Sequence, residues 1–151
     1  MPKIETISEA VIDGPPLVVY KAFLDEIAGV TNWWMPHMQY KLRGNMPIDR
    51  EGAIFDATIM PTSRMNAKFS GKVTKIVEGK LLEDDISGCF IGKGKWTFEE
   101  TNGKTKVQFH MSARTNGIIY TIFAPFVNYK KNHINIMDKG FKALNNYLSK
   151  K

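Results

Sequence analysis

The dipeptide Asn102-Gly103, set between two runs rich in β-branched and aromatic residues, constrains this chain more than any other feature. Both residues accept the positive φ of a type I′ turn, and a two-residue loop leaves its flanking strands a single register. That register places Trp96 opposite Phe109, Phe98 opposite Val107 and Gly94 opposite Met111 on one face. On the other face Glu99 meets Lys106, Thr97 meets Gln108 and Lys95 meets His110. A slip of one residue would bury the charged set and expose the aromatic one. The hairpin therefore commits the chain to an antiparallel sheet with one apolar face.

The rest of the chain supplies partners for that sheet. Ile4 to Asp13 alternates as a strand and is stopped by Gly14-Pro15-Pro16. Asp13 is placed to cap a following helix, for which Leu17, Tyr20, Phe23, Leu24 and Ile27 give the apolar stripe. Gly29 interrupts it, and Val30 to Trp34 is expected as a second short helical piece ended by Pro36. The period then changes to that of strands over Met38–Leu42, Ala53–Met60, Met65–Val77, Leu81–Phe90, Lys93–Glu100 and Thr105–Arg114. A turn near Glu78-Gly79 joins two of them.

The last element is one long amphipathic helix, expected over Pro125 to Ser149. Ile134, Met137, Phe141, Leu144 and Leu148 recur at steps of three and four, with Ile136, Gly140, Ala143 and Tyr147 beside them. At 1.5 Å per residue such a helix is roughly 35 Å long, enough to cross a small domain. A meander of long strands twists and curls into a concave apolar face, and this helix is the element suited to cover it.

Composition narrows the setting. A chain of 151 residues is expected to form a single domain over 1–151. Cys89 is alone, which excludes an internal disulfide and fits a reducing, cytoplasmic compartment. No run approaches the 18 or so apolar residues of a spanning helix. The net charge of +6 would suit nucleic acid, but the lysines are scattered among acids such as Glu83, Asp84, Asp85, Glu99 and Glu100. They read as a solvated surface, and no nucleic-acid partner is expected.

The order of elements resembles the START-related SRPBCC superfamily, the helix-grip fold of birch-pollen-allergen-like and polyketide cyclase/dehydrase-like proteins. The resemblance spans nearly the whole chain. It is carried by VVYKAFLDEIAGVTNWW after the opening strand, by the hairpin GKGKWTFEETNGKTKVQFHM and by the terminal INIMDKGFKALNNYL. It implies an α+β fold with a curved antiparallel sheet of about seven strands around a long C-terminal helix and two short helices after the first strand. It also implies a hydrophobic cavity between sheet and helix, used by different members for lipids, sterols, plant hormones or aromatic polyketides.

Candidate ligand-binding residues follow from parity and position. Phe69, Trp96, Phe98, Phe109 and Met111 are expected on the concave face, with Met137 and Phe141 facing them from the helix. Small residues among them, Ala67, Gly71, Gly94 and Gly140, leave room that a filled core would occupy. The uncharged segment Gly117 to Val127, with Tyr120, Phe123 and Phe126, suits a gate at the cavity mouth or a transient membrane contact. Of the pair Trp33-Trp34, one ring is expected to seal the sheet's open end and the other to be exposed; Trp34 is taken as the ligand-facing one.

Catalysis is left open by the residues. Acid–base work needs a titratable group inside the cavity. His110 and Arg114 turn outward by the hairpin parity, His37 lies in a loop, and His133 sits beside the apolar stripe. Asp56, Arg64, Tyr40 and Tyr120 are the polar residues that suit an inward position. No histidine or cysteine spacing matches a metal site, no phosphate-binding loop or nucleophile elbow is present, and no cofactor is expected. Three functions remain: binding or carriage of a small hydrophobic or amphipathic molecule, a cyclase or dehydratase acting in the same cavity, and a co-chaperone-like interaction module.

Overall fold

A computed structural model describes residues 3–60, 66–117 and 129–150. Seven strands, β1 (Lys3–Ile12), β2 (Met38–Arg43), β3 (Ile54–Ile59), β4 (Ala67–Val77), β5 (Leu81–Gly88), β6 (Phe90–Thr101) and β7 (Lys104–Thr115), form one sheet. Their order is β1-β7-β6-β5-β4-β3-β2 and every neighbouring pair is antiparallel. Helix α1 (Pro16–Ile27) follows β1, and helix α2 (Tyr129–Ser149) ends the described chain. The sheet is open and curved, the α+β helix-grip arrangement.

The register at Asn102-Gly103 is the expected one throughout: Trp96 pairs with Phe109, Phe98 with Val107, Gly94 with Met111 and Glu99 with Lys106. Asn102 and Gly103 both take positive φ, +52° and +81°. Gly79 likewise turns β4 into β5. Within β4 a bulge between Val73 and Lys75 ends the regular inward alternation of Ala67, Phe69, Gly71 and Val73. The strand expected to run through Phe90 instead breaks at Cys89, and Phe90 opens β6.

Three local expectations are corrected. Val30 to Trp34 forms turns, because the amides of Gly29, Val30 and Thr31 bond back to the carbonyls of Glu26 and Asp25 and close α1. Asp13 does not cap α1; Pro15 occupies that position, while Asp13 pairs with Lys104 at 3.0 Å and its N–H donates to Asn145 Oδ1. Ile134, assigned to the buried stripe, is 36% exposed.

α2 buries Met137, Gly140, Phe141 and Leu144, and its backbone approaches β1 more closely than any other strand. α1 contacts β2, β6 and β7. The helices therefore lean on different parts of the sheet. Residues of β3, β4 and β5 face a space that α1 and α2 also line.

Candidate functional site

That space is a cavity of about 820 Å³. Its described walls are mostly apolar, with contributions from the central strands, α1, α2 and the turn before β2. The volume lies in the range of small-molecule sites, about 300–1,000 Å³.

Of the residues expected to bind a ligand, Trp34, Phe69, Trp96, Phe109, Met111 and Met137 line this cavity. Trp96 and Phe109 stack with ring centroids 4.2 Å apart, so the hairpin register places one flat aromatic pair on the wall. Phe98 has the expected parity but lies too far along β6. It packs beneath α1, edge-on to Tyr20 at 5.5 Å and beside Phe23 at 5.8 Å. Phe141 is buried in the core without reaching the cavity wall. Tyr120, Phe123, Phe126 and Arg64 lie outside the described residues, as does the proposed gate beyond Gly117.

The tryptophans are both used. Trp34 is buried and its indole N–H donates to the Ile136 carbonyl of α2 at 3.2 Å. Trp33 is half-buried and stacks on it at 5.8 Å, with an interplanar angle of 8°. A turn, unlike the expected helix, lets neighbouring side chains share one side. The Trp34 ring fills the space where a side chain at Gly140 would stand, so Gly140 marks a helix–tryptophan contact rather than empty volume.

The backbone of that turn is held by Glu26, which is 1% exposed. Its Oε1 accepts from the Thr31 hydroxyl at 2.7 Å and the Trp33 amide at 3.0 Å, and its Oε2 accepts from the Trp34 amide at 3.0 Å. This buried carboxyl is fully engaged in positioning one wall of the cavity.

A second buried carboxyl, Asp84, is the residue that sequence reasoning placed on the surface. It is 4% exposed and lies on the cavity floor between Leu82 and Ile86. Its Oδ1 is buried without a hydrogen-bond partner. Burial pushes its pKa from 3.8 up to about 7; the Gly94 and Asp84 backbone amides pull it down by less, and the neighbouring Asp85 adds to the rise. Two of the small residues make room for it. A side chain at Gly94 would meet Asp84 Oδ1 at 2.5 Å and Phe109 at 2.9 Å, and one at Gly71 would meet the Phe55 ring and Asp84 Oδ2.

Other polar groups line the same space. Burial, then the carboxylates of Glu26 and Asp84, push the Tyr40 hydroxyl well above its ordinary range. Burial lowers His133 to about 4, so its imidazole is neutral near pH 7; Nε2 has no partner, and the ring lies 5.7 Å from Phe109. His37 is lowered by burial and then by Lys139. Asp56, expected as an inward candidate, instead points to solvent, where Arg43 and Ser70 bond its carboxylate and hold its pKa below the usual range. His110 is outward, beside Glu5 at 3.3 Å.

No protein-family model matches the chain, and no curated protein matches it in sequence. Among solved structures it is similar to protein CV1439 from Chromobacterium violaceum, with TM-score 0.71 and 17% identity over 95% of each chain. Ara h 8.0201 matches with TM-score 0.70 and 15% identity, covering 99% of this chain and 100% of that one. Ginseng major latex-like protein 151 from Panax ginseng matches with TM-score 0.71 and 10% identity, covering 96% and 97%. At these identities the likeness is one of fold, and the fold is helix-grip.

Proposed function

We propose that this protein binds a small, largely apolar molecule carrying a hydrogen-bonding group, held in the cavity between sheet and C-terminal helix. The observation that carries this reading is the cavity itself, about 820 Å³ with aromatic and aliphatic walls and few polar atoms. The resemblance of the sequence to ligand-holding helix-grip proteins supports it. The stacked Trp96–Phe109 pair offers a flat surface for a ring or chain, and Asp84, Tyr40 and His133 offer the polar contacts that fix orientation. Native mass spectrometry of gently purified protein, followed by organic extraction, tests it. Binding of neutral N-phenylnaphthylamine with enhanced emission is expected, together with a retained small molecule. No retained species and no emission change over the accessible protein range would remove the reading.

A second reading, a cyclase or dehydratase in the same cavity, is favoured by one observation. Asp84 is a buried carboxyl on the cavity wall, and burial pushes its pKa up to about 7, which suits a group that takes and returns a proton near neutrality. An extracted ligand returned to the protein at neutral pH distinguishes the two. Recovery unchanged supports carriage, whereas conversion that stops in Asp84→Asn supports catalysis.

A further inference from the structure

The proposal here rests on the cavity being a ligand site and concerns what kind of molecule it takes. Asp84 combines three features that a packed core does not need. Its carboxyl is buried on the cavity floor, its Oδ1 lacks a partner, and glycines on both adjacent strands leave space for it. Any side chain at Gly71 or Gly94 would collide with one carboxyl oxygen and one aromatic ring, Phe55 at the first and Phe109 at the second. The carboxyl thus lies on the cavity wall beside the Phe55 and Phe109 rings, with Oδ1 turned toward Gly94.

We propose that the cavity selects molecules with a basic nitrogen on an apolar body, whose ammonium group docks on Asp84 between Phe55 and Phe109. A buried carboxylate without a counter-charge is costly, and a neutral hydroxyl satisfies its oxygen but not its charge. An ammonium satisfies both, and aromatic rings attract it further through their quadrupoles. Among the described residues, Lys139 is the one lysine or arginine on the wall, and it does not figure among the groups that shift Asp84. His133 is neutral near pH 7, His37 is lowered, and Lys139 is exposed. The apolar body would lie along Trp96 and Met137, which face the same space.

The titratable and charged groups around Asp84 can be named by element. β2 contributes Tyr40, which also feels Glu26 of α1; α2 contributes Tyr129, His133 and Lys139; the turn before β2 contributes His37; β5 contributes the neighbouring Asp85. Among the described residues, β3, β4, β6 and β7 place no titratable side chain on the cavity wall. Since burial holds His133 near 4 and Tyr40 well above 10, Asp84 is the wall carboxyl that changes charge around neutrality.

The test compares naphthylmethylamine with naphthylmethanol, matched in shape, by calorimetry on the whole chain from pH 5.5 to 8.5. The amine is expected to bind at least about tenfold tighter than the alcohol at pH 8.5. Its affinity is expected to fall on the order of thirtyfold at pH 5.5, as Asp84 takes up its proton, while the alcohol stays level. In Asp84→Asn the amine should lose both its advantage and its pH dependence, with the emission of bound N-phenylnaphthylamine retained as proof of an intact cavity. Equal affinity for the two in the native chain, or an amine preference that survives Asp84→Asn, overturns the selection for a basic nitrogen and leaves the cavity reading standing. Failure of both compounds and of N-phenylnaphthylamine to bind overturns the cavity reading and the selection together.

Discussion

Two carboxyls are buried in this protein to almost the same degree, and their surroundings differ in every other respect. Glu26 is 1% exposed and Asp84 4%. Glu26 spends both oxygens on the turn that carries Trp33 and Trp34, accepting from a hydroxyl and two amides. Asp84 sits among apolar and aromatic neighbours with Oδ1 unpartnered, and glycines hold space for it. Burial alone therefore does not distinguish the two acids; how far the donors they meet offset that burial does. A carboxylate with three well-placed donors stabilises the fold, whereas one whose backbone amides do not offset its burial weakens it in its charged form.

The largest expected effect breaks the structural member of the pair. Glu26→Ala removes three charge-assisted hydrogen bonds and leaves the Thr31, Trp33 and Trp34 donors without their acceptor, so a loss of about 5 kcal/mol is expected in urea unfolding. A loss under about 1 kcal/mol would mean that the turn holds itself. The next effect has the opposite sign. Asp84 binds its proton more tightly folded, at about 7, than unfolded, near 3.8. Its contribution is therefore fully present below about pH 4 and is lost as pH rises through about 7, on the order of 4 kcal/mol in all. Asp84→Asn should abolish that loss and be more stable than the native chain at pH 8, a result opposite to that for Glu26.

His133 sharpens the contrast from the other side of the cavity. Its folded pKa of about 4 lies below its ordinary 6.5, so stability is present above 6.5 and is lost as pH falls toward 4, by about 3 kcal/mol. Between about pH 4 and 6.5 the two groups oppose one another, and the native profile is expected to be flat there. Asp84→Asn should unmask the acid-side fall, and His133→Gln the fall toward neutrality; unfolding curves across pH separate them. The smallest effect concerns the wall that Glu26 positions. Gly140→Ala gains about 1 kcal/mol of helix propensity but drives a methyl group into the Trp34 indole. A net loss of about 1 kcal/mol with altered tryptophan emission is expected.

The two acids were unequally legible in the sequence, and so was the rest of the fold. Asn102-Gly103 fixed the pairing of β6 and β7 because a two-residue turn with positive φ allows one register. Trp96 and Phe109 on the cavity wall followed directly. Asp84 was hidden in the run Glu83-Asp84-Asp85, which reads as a charged surface strand. The signal that would have found it was pairing: Asp84 stands opposite Gly94, whose inward parity the hairpin had already set. The irregular passage from β5 to β6 at Gly88-Cys89 gave no turn chemistry from which to read that register. Parity also could not say how far along a strand a residue lies, which is why Phe98 was assigned to the cavity and packs beneath α1 instead. Glu26 was obscured for a different reason. Its partners lie five to eight residues ahead in a turn whose shape depends on Glu26 itself, and helical periodicity does not encode such a feedback.

The most direct measurement is a pH titration of the Asp84 side-chain carbon by carbon-13 NMR in aspartate-labelled protein, with Asp84→Asn to assign the resonance. The account predicts a midpoint of about 7 in the ligand-free protein, moving downward when naphthylmethylamine is bound. A midpoint near 4 in the ligand-free protein would contradict it, because the carboxyl would then be solvated or partnered and the cavity floor would hold no unsatisfied acid.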